Sequence, residues 1–527
     1  MSKNKQHLKF PSQKALSPDD YLEAARQAEK YVRTFLRFEP DGLRFSPKGS
    51  GSLPPPEPDT LDAQKADILY ASKRTDQQGN GESFDDTLYS GGAGVLHMYL
   101  QFYQQDPLPE FLDIIQNLTL YLSEHALDTI ERAQKKGERV PGMAMGFYPG
   151  IAGIGLVLNE SYRFFRSQIP GQETVQTAAQ KTAFEGVKKI TSYYKEQAIL
   201  SESAAYWTDN SVLYFDGGVI LFLLDAYETL QDPSLPALIS AATDYILHQG
   251  RKHPDGGLEI DHIGVAFKHQ EPNFEFGTAG LGYLFLKVYE FTRNEKYLHA
   301  AMSTATYIKS IRVPQKKGFL IPYKLSWEQD LFYLGNCHGP VGTIKLFYKL
   351  YQLTGEKNYD KDCLDLYEGA ASLGAPFSMS PGFWNTTCLC CGPTGYIPLF
   401  IGLYKLDGNP RWKDLAARVG DILLGTRSTY ETFPLTESHP DTKESIPHMH
   451  SSIPSAGPTV CQTGDQPSSL LASRWFLAFD RTKPEEITAP AGYYNGTAGI
   501  GAQLLNLYRF LQNQEQFSPL IDDPYLS

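Results

Sequence analysis

Cys337, Cys390 and Cys391 fall in two short motifs that align residue for residue, Asn336–Gly342 (NCHGPVG) and Leu389–Gly395 (LCCGPTG). Each motif has a cysteine two residues before its first glycine, and Cys391 takes in the second the place that His338 holds in the first. Thiolate sulfur is a soft ligand that zinc accepts, and three protein ligands with a fourth position open to solvent or substrate is the catalytic rather than the structural pattern. A helix starting just after each motif would favour thiolate over thiol, because a helix N-terminus carries partial positive charge. The motifs therefore predict a zinc site (Zn2+) made by Cys337, Cys390 and Cys391. His338, next to the first of these, is the candidate acid, since an imidazole exchanges protons near neutrality. The plainer alternatives are cysteines that fill space between helices and a histidine that hydrogen-bonds nearby backbone. Cys388 offers a fourth ligand only at awkward C-x-C-C spacing, while Cys363 and Cys461 lie outside the motifs and read as packing or surface residues.

The elements that would carry these residues follow from a longer pattern. Seven copies of a glycine motif run along the chain, with first glycines at Gly91, Gly150, Gly217, Gly277, Gly339, Gly392 and Gly496. Six keep Gly-x-x-Gly, and the third has Ile220 where the second glycine would be. A repeat of this kind marks one large unit built from stacked copies. Each motif leads into a run that is apolar on most of its circumference, such as LGYLFLKVYEFT, as expected of a helix packed on several sides. Most of these runs are followed, after an Asp/Asn/Pro/Gly turn, by a more amphipathic stretch such as NEKYLHAAMSTATYI. No segment sustains the period-two alternation of a major sheet. The expectation is an all-α fold, an α/α toroid of seven helical hairpins, with inner helices starting at the GxxG motifs and the cysteines converging at one mouth of the ring. An open solenoid is the alternative arrangement.

Residues 1–60 read as an N-terminal helix from Ser17, capped by that serine with Pro18 at its first position, followed by a Pro/Gly/Ser-rich linker. Residues 61–527 would form the toroid, with a polar insert at about 431–466 that holds His439, His448 and His450. The 48 basic and 60 acidic residues give a formal charge of −12, so nothing points to nucleic acid or an anionic membrane surface. Six cysteines in 527 residues is too sparse for a disulfide scaffold and suits a reducing compartment. With no membrane span and no secretory signal, the expected location is cytoplasmic.

The repeat, with Cys-His-Gly in its fifth copy and Cys-Cys-Gly in its sixth, resembles the lanthionine synthetase C-like (LanC-like) family over roughly residues 80–515. The resemblance implies an α/α toroid whose zinc is held by two cysteines and a third ligand, usually histidine; Cys391 would stand in for it, as in the three-cysteine variant found in part of the family. It also implies the reaction, in which a cysteine thiolate adds to dehydroalanine or dehydrobutyrine of a dehydrated precursor peptide to form a lanthionine or methyllanthionine thioether. A separate dehydratase would act first, since this chain carries no phosphate-binding glycine loop followed by lysine. Two departures stand out. Family cyclases usually place histidine just before the repeat-four glycine, where this chain has Phe276. They also carry an aspartate shortly before the repeat-three glycine, where this chain reads Leu213-Tyr214-Phe215, with Asp216 and Asp209 nearby. Those departures keep other functions in view: addition of glutathione or another small thiol to dehydroamino acids in proteins, a zinc-binding scaffold without turnover, or a toroid glycosidase using two carboxylates, with Asp216 and Glu275 as candidates.

Overall fold

The computed structural model describes residues 16–39, 42–46, 74–75, 83–167, 177–201, 204–260, 270–325, 331–378, 386–432, 470–478 and 487–527. Its main helices, in chain order, are α1 (Pro18–Arg33), α2 (Gly92–Gln105), α3 (Pro109–Lys135), α4 (Ile151–Ser167), α5 (Ala178–Gln197), α6 (Asp216–Leu230) and α7 (Leu235–His248). There follow α8 (Thr278–Thr292), α9 (Glu295–Ser310), α10 (Pro340–Thr354), α11 (Lys357–Ser372), α12 (Tyr396–Asp407), α13 (Arg411–Thr426) and α14 (Thr497–Leu511). Strands among the described residues pair only as two-stranded antiparallel ladders.

The apolar runs after the glycine motifs are the even-numbered helices, and they form the inner wall. In α8, for instance, the first nine residues from Thr278 to Leu286 are all buried, as a helix packed on every side requires. Each inner helix packs against an odd-numbered outer helix: α2 on α3, α4 on α5, and so on to α12 on α13. The last inner helix, α14, takes as its outer partner α1 from the other end of the sequence. Contacts run from α2 through α4, α6 and α8 to α10, and from α12 through α14 back to α2, while a main-chain bond from Asn336 N–H to the Cys390 carbonyl joins the repeats of α10 and α12. The fold is an α/α toroid of seven hairpins.

A belt of main-chain hydrogen bonds closes the same ring at the end where the inner helices begin. Tyr89 N–H donates to the carbonyl of Tyr148, Phe147 to Tyr214, Tyr214 to Glu275, Glu275 to Cys337, Asn336 to Cys390, Cys390 to Tyr494, and Tyr494 back to Tyr89, at 2.7–3.2 Å. Each repeat thus contributes one rung, which in six of the seven copies lies two residues before the first glycine. The glycines permit this closeness. A Cβ at Gly277 would run into the Glu271 carbonyl, and one at Gly280 into that of Phe274. The belt also resolves the irregular third copy. Tyr214 occupies its rung, so Asp216 rather than Gly217 stands in the first-glycine place, and Gly218 takes up the close approach to Leu213 and Phe147.

Strands Ser428–Thr432 and Leu470–Arg474 pair in antiparallel register and lie on α1. They flank the expected 431–466 insert, nearly all of which falls outside the described residues, as do its three histidines. No helix among the described residues is long and apolar enough to cross a membrane.

Candidate metal centre

The belt puts Cys337 and Cys390 on adjacent rungs, because the Asn336 N–H bonds the Cys390 carbonyl at 2.7 Å. Gly339 caps α10, and Gly392 precedes the turn of 3-10 helix (Pro393–Gly395) that opens α12, so both thiols sit just outside helix N-termini. Cys391 follows Cys390 and completes the group. Its sulfur lies 3.5 Å from Sγ of Cys337 and 3.5 Å from Sγ of Cys390, and all three sulfurs are within 4.8 Å of one another. Cys337 and Cys390 are buried and Cys391 is partly exposed.

Those separations fit a tetrahedral metal. Zinc–sulfur bonds of about 2.3 Å at tetrahedral angles place sulfurs about 3.8 Å apart. The electrostatics fit as well. Hydrogen bonding to the Cys337 sulfur, joined by burial, holds the thiols of Cys390 and Cys391 above their ordinary range. Three thiolates this close cannot coexist without a cation to neutralise them. Cys337, Cys390 and Cys391 are thus a cluster that could hold a metal ion, with partial exposure at Cys391. Cys388 is buried beside them and lies outside this group; its sulfur accepts from the Thr386 hydroxyl at 3.1 Å, and its thiol is held below the ordinary range chiefly by a hydrogen bond with Cys391. Cys363 is fully buried, its thiol pushed up by burial, and Cys461 lies outside the described residues.

His338 is buried, with its Nδ1 3.2 Å from Oε2 of Glu271. The other oxygen of Glu271 lies 3.4 Å from Nζ of Lys324, and both of these residues are only 4% exposed along their side chains. The imidazole stacks on Phe276 (4.8 Å between centroids, 10° between planes) and meets Tyr323 and Tyr333 edge-on. Phe276, the residue in place of the expected repeat-four histidine, therefore lies face to face with a histidine supplied by repeat five.

Glu275 occupies the repeat-four rung, in register with the two cysteine rungs. Its Oε1 accepts from Asn336 Nδ2 at 3.1 Å and lies 4.0 Å from Sγ of Cys390. Burial first, then the neighbouring Cys390, raises its carboxyl well above the usual range. Sequence reading had singled out Glu275 only as a glycosidase carboxylate; aligning it by repeat position with Cys337 would have placed it here. Glu271 and Lys324 were missed altogether, since nothing in their spacing ties them to His338. Asp216 faces its own loop. Its carboxylate accepts from the amides of Trp207 and Thr208 and from the Thr208 hydroxyl. Burial still outweighs those bonds and lifts its pKa to about 6.

Aromatic rings fill the rest of the mouth. Tyr89 stacks on Tyr494, Tyr494 meets Tyr148 edge-on, Tyr148 packs on Tyr214, and Tyr214 stacks on Phe276 at 4.8 Å.

The family model of the lanthionine synthetase C-like protein matches residues 82–425. No curated protein matches the sequence. Among solved structures, nisin cyclase aligns at 14% identity over 84% of this chain and 92% of its own, with a TM-score of 0.48. A family 76 α-mannanase of Bacteroides thetaiotaomicron aligns at 12% identity over 75% of this chain and 96% of its own, with a TM-score of 0.39. A sugar epimerase from a ruminal bacterium aligns at 12% identity over 70% and 87%, with a TM-score of 0.40.

Proposed function

Because this chain belongs to the lanthionine synthetase C-like family, we propose that it is a zinc-dependent cyclase that forms thioether rings in a dehydrated precursor peptide. The observation that carries this reading is the trio of sulfurs, two buried and one partly exposed, spaced for a tetrahedral metal on two adjacent rungs. Cys337, Cys390 and Cys391 would hold the zinc. When bound, the zinc lowers the pKa of an incoming cysteine thiol, so that thiolate is available at neutral pH.

The remaining work falls to the protein. The new bond joins the substrate sulfur to the β-carbon of dehydroalanine or dehydrobutyrine, and the electron pair of the double bond moves toward the α-carbon as an enolate. That α-carbon then needs a proton. His338 is the donor in this reading: Glu271 engages Nδ1, which leaves Nε2 as the nitrogen that hands the proton over. Phe276, Tyr323 and Tyr333 restrict the imidazole to one orientation. Glu275, whose carboxyl resists ionisation, keeps a second negative charge away from the sulfurs. The aromatic rings from Tyr89 to Phe276, nearly all buried, exclude water from beside the sulfurs. Such a substrate has to be dehydrated beforehand, so a separate dehydratase precedes this step.

The test is direct. Purified protein is incubated with a peptide carrying one dehydroalanine and one cysteine, and ring closure is followed by loss of the free thiol at unchanged mass. Closure in the wild type and its loss in Cys390→Ala are expected. No closure by zinc-loaded wild type, combined with transfer of glutathione to the same peptide, would replace peptide cyclisation by small-thiol addition.

A further inference from the structure

A ring of seven inner helices leaves a bore, and here the chain fills it with its own closing segment. After α14 the segment turns back, with Arg509 donating to the Gln516 carbonyl and Ser518 donating to Gln104 at the far end of α2. It then runs up inside the wall. Tyr283 of α8 donates to the Ile521 carbonyl at 2.7 Å, Tyr525 donates to the Val341 carbonyl of α10, and Lys405 at the far end of α12 donates to the Ser527 carbonyl at 2.9 Å. The ring of Tyr525 lies so close to α12 that Gly402 has no room for a Cβ. The turn of this hairpin-like plug reaches the underside of the mouth and delivers Asp522, which is fully buried.

Asp522 Oδ2 accepts from the Tyr148 hydroxyl at 2.8 Å and the Tyr494 hydroxyl at 3.4 Å, with Nζ of Lys345 at 3.7 Å. One carboxylate therefore ties the belt at repeats two and seven, on either side of Tyr89. Both partners lead to the sulfurs. The Tyr494 carbonyl accepts the Cys390 N–H at 2.9 Å, while Tyr494 N–H donates to Tyr89, whose own N–H donates to Tyr148. The Tyr89 and Tyr494 rings stack in parallel, 9° apart. A buried carboxylate is tolerable only when paired and hydrogen-bonded, and here the lysine and the two phenols supply partners for Oδ2. Hydrogen bonds to a charged group are also the strong ones, and of the two the Tyr148 bond, at 2.8 Å, is the tighter.

We propose that Asp522 is a positioning residue for the thiol cluster: from within the bore it fixes Tyr148 and Tyr494, and through them the main chain that aims Cys390 and Cys391. The inference builds on the reading of the cluster as the working site, but its test does not depend on that reading. The full chain, as purified and with its metal content measured in the same sample, is treated with iodoacetamide, and alkylation is timed peptide by peptide. Asp522→Ala should speed modification of Cys390 and Cys391 about tenfold, the scale of losing hydrogen bonds to a charged group. Cys363, fully buried on the outer helix α11, reports any general loosening and should keep its wild-type rate. Asp522→Asn, which keeps an acceptor oxygen, should restore most of the protection. Where the alanine variant does not fold, Tyr494→Phe must show the same selectivity at about threefold. Unchanged rates at Cys390 and Cys391, or a rise at Cys363 in step with them, overturns the proposal. Absence of zinc from the wild type defeats the metal reading alone, and the alkylation ratios still decide the role of Asp522.

Discussion

The seven rungs of the belt share one main-chain geometry and divide into two arcs by side chain. Four consecutive rungs carry Tyr494, Tyr89, Tyr148 and Tyr214; the other three carry Glu275, Cys337 and Cys390. On the tyrosine arc, burial pushes each phenol well above its ordinary pKa, and the rings pack on one another. On the other arc, a carboxyl and three thiols crowd into a space where their charges are mutually exclusive. The backbone is the same, so the difference lies in what each repeat hangs on it. The repeat builds the ring, and two adjacent copies carry the clustered sulfurs without altering the scaffold.

That division can be broken on either side. The largest effect should come from the sulfur arc: Cys337→Ala or Cys390→Ala is expected to cut ring closure about a thousandfold or more through loss of the metal, with the melting temperature little changed by comparison. A change to the shared scaffold should do the reverse. Gly280→Ala drives a Cβ into the Phe274 carbonyl and the Leu213 side chain, and should cost about 3 kcal/mol of stability in denaturant unfolding. His338→Ala should lower turnover by about a hundredfold, the ordinary share of a general acid, while zinc content stays at the wild-type level. A smaller loss with Glu271→Gln would sharpen the assignment, since that change leaves the imidazole in place but alters what holds it. The smallest effect belongs to the tyrosine arc: Tyr214→Phe should change turnover less than twofold, because its ring stacking survives the loss of the hydroxyl.

Much of this was legible in the chain. Glycine at a fixed place before six of the seven apolar runs announced the inner helices, because carbonyls of the preceding loop leave no room there for a Cβ. Aligning two copies then put Cys337 and Cys390 at equivalent places on neighbouring hairpins. What stayed hidden was pairing between distant parts of the chain. Nothing local in PDDYLEAARQAEKYVR says that α1 packs on α14. Nothing local in QFSPLIDDPYLS says that it is buried, since its burial depends on a bore that exists only once all seven hairpins have assembled. Asp216 in a glycine place misled the alignment of repeat three by one residue, because its fitness there comes from amides of its own loop. Glu271 and Lys324 join His338 only across the folded mouth, so no spacing rule exposes them.

The central claim is that the three sulfurs hold one metal, and metal analysis by mass spectrometry on the purified chain tests it most directly. The account predicts about one zinc per chain, lost in both Cys337→Ala and Cys390→Ala and retained in His338→Ala. Wild-type protein that binds no zinc after careful reconstitution, or a Cys390→Ala variant that keeps it, would contradict the account.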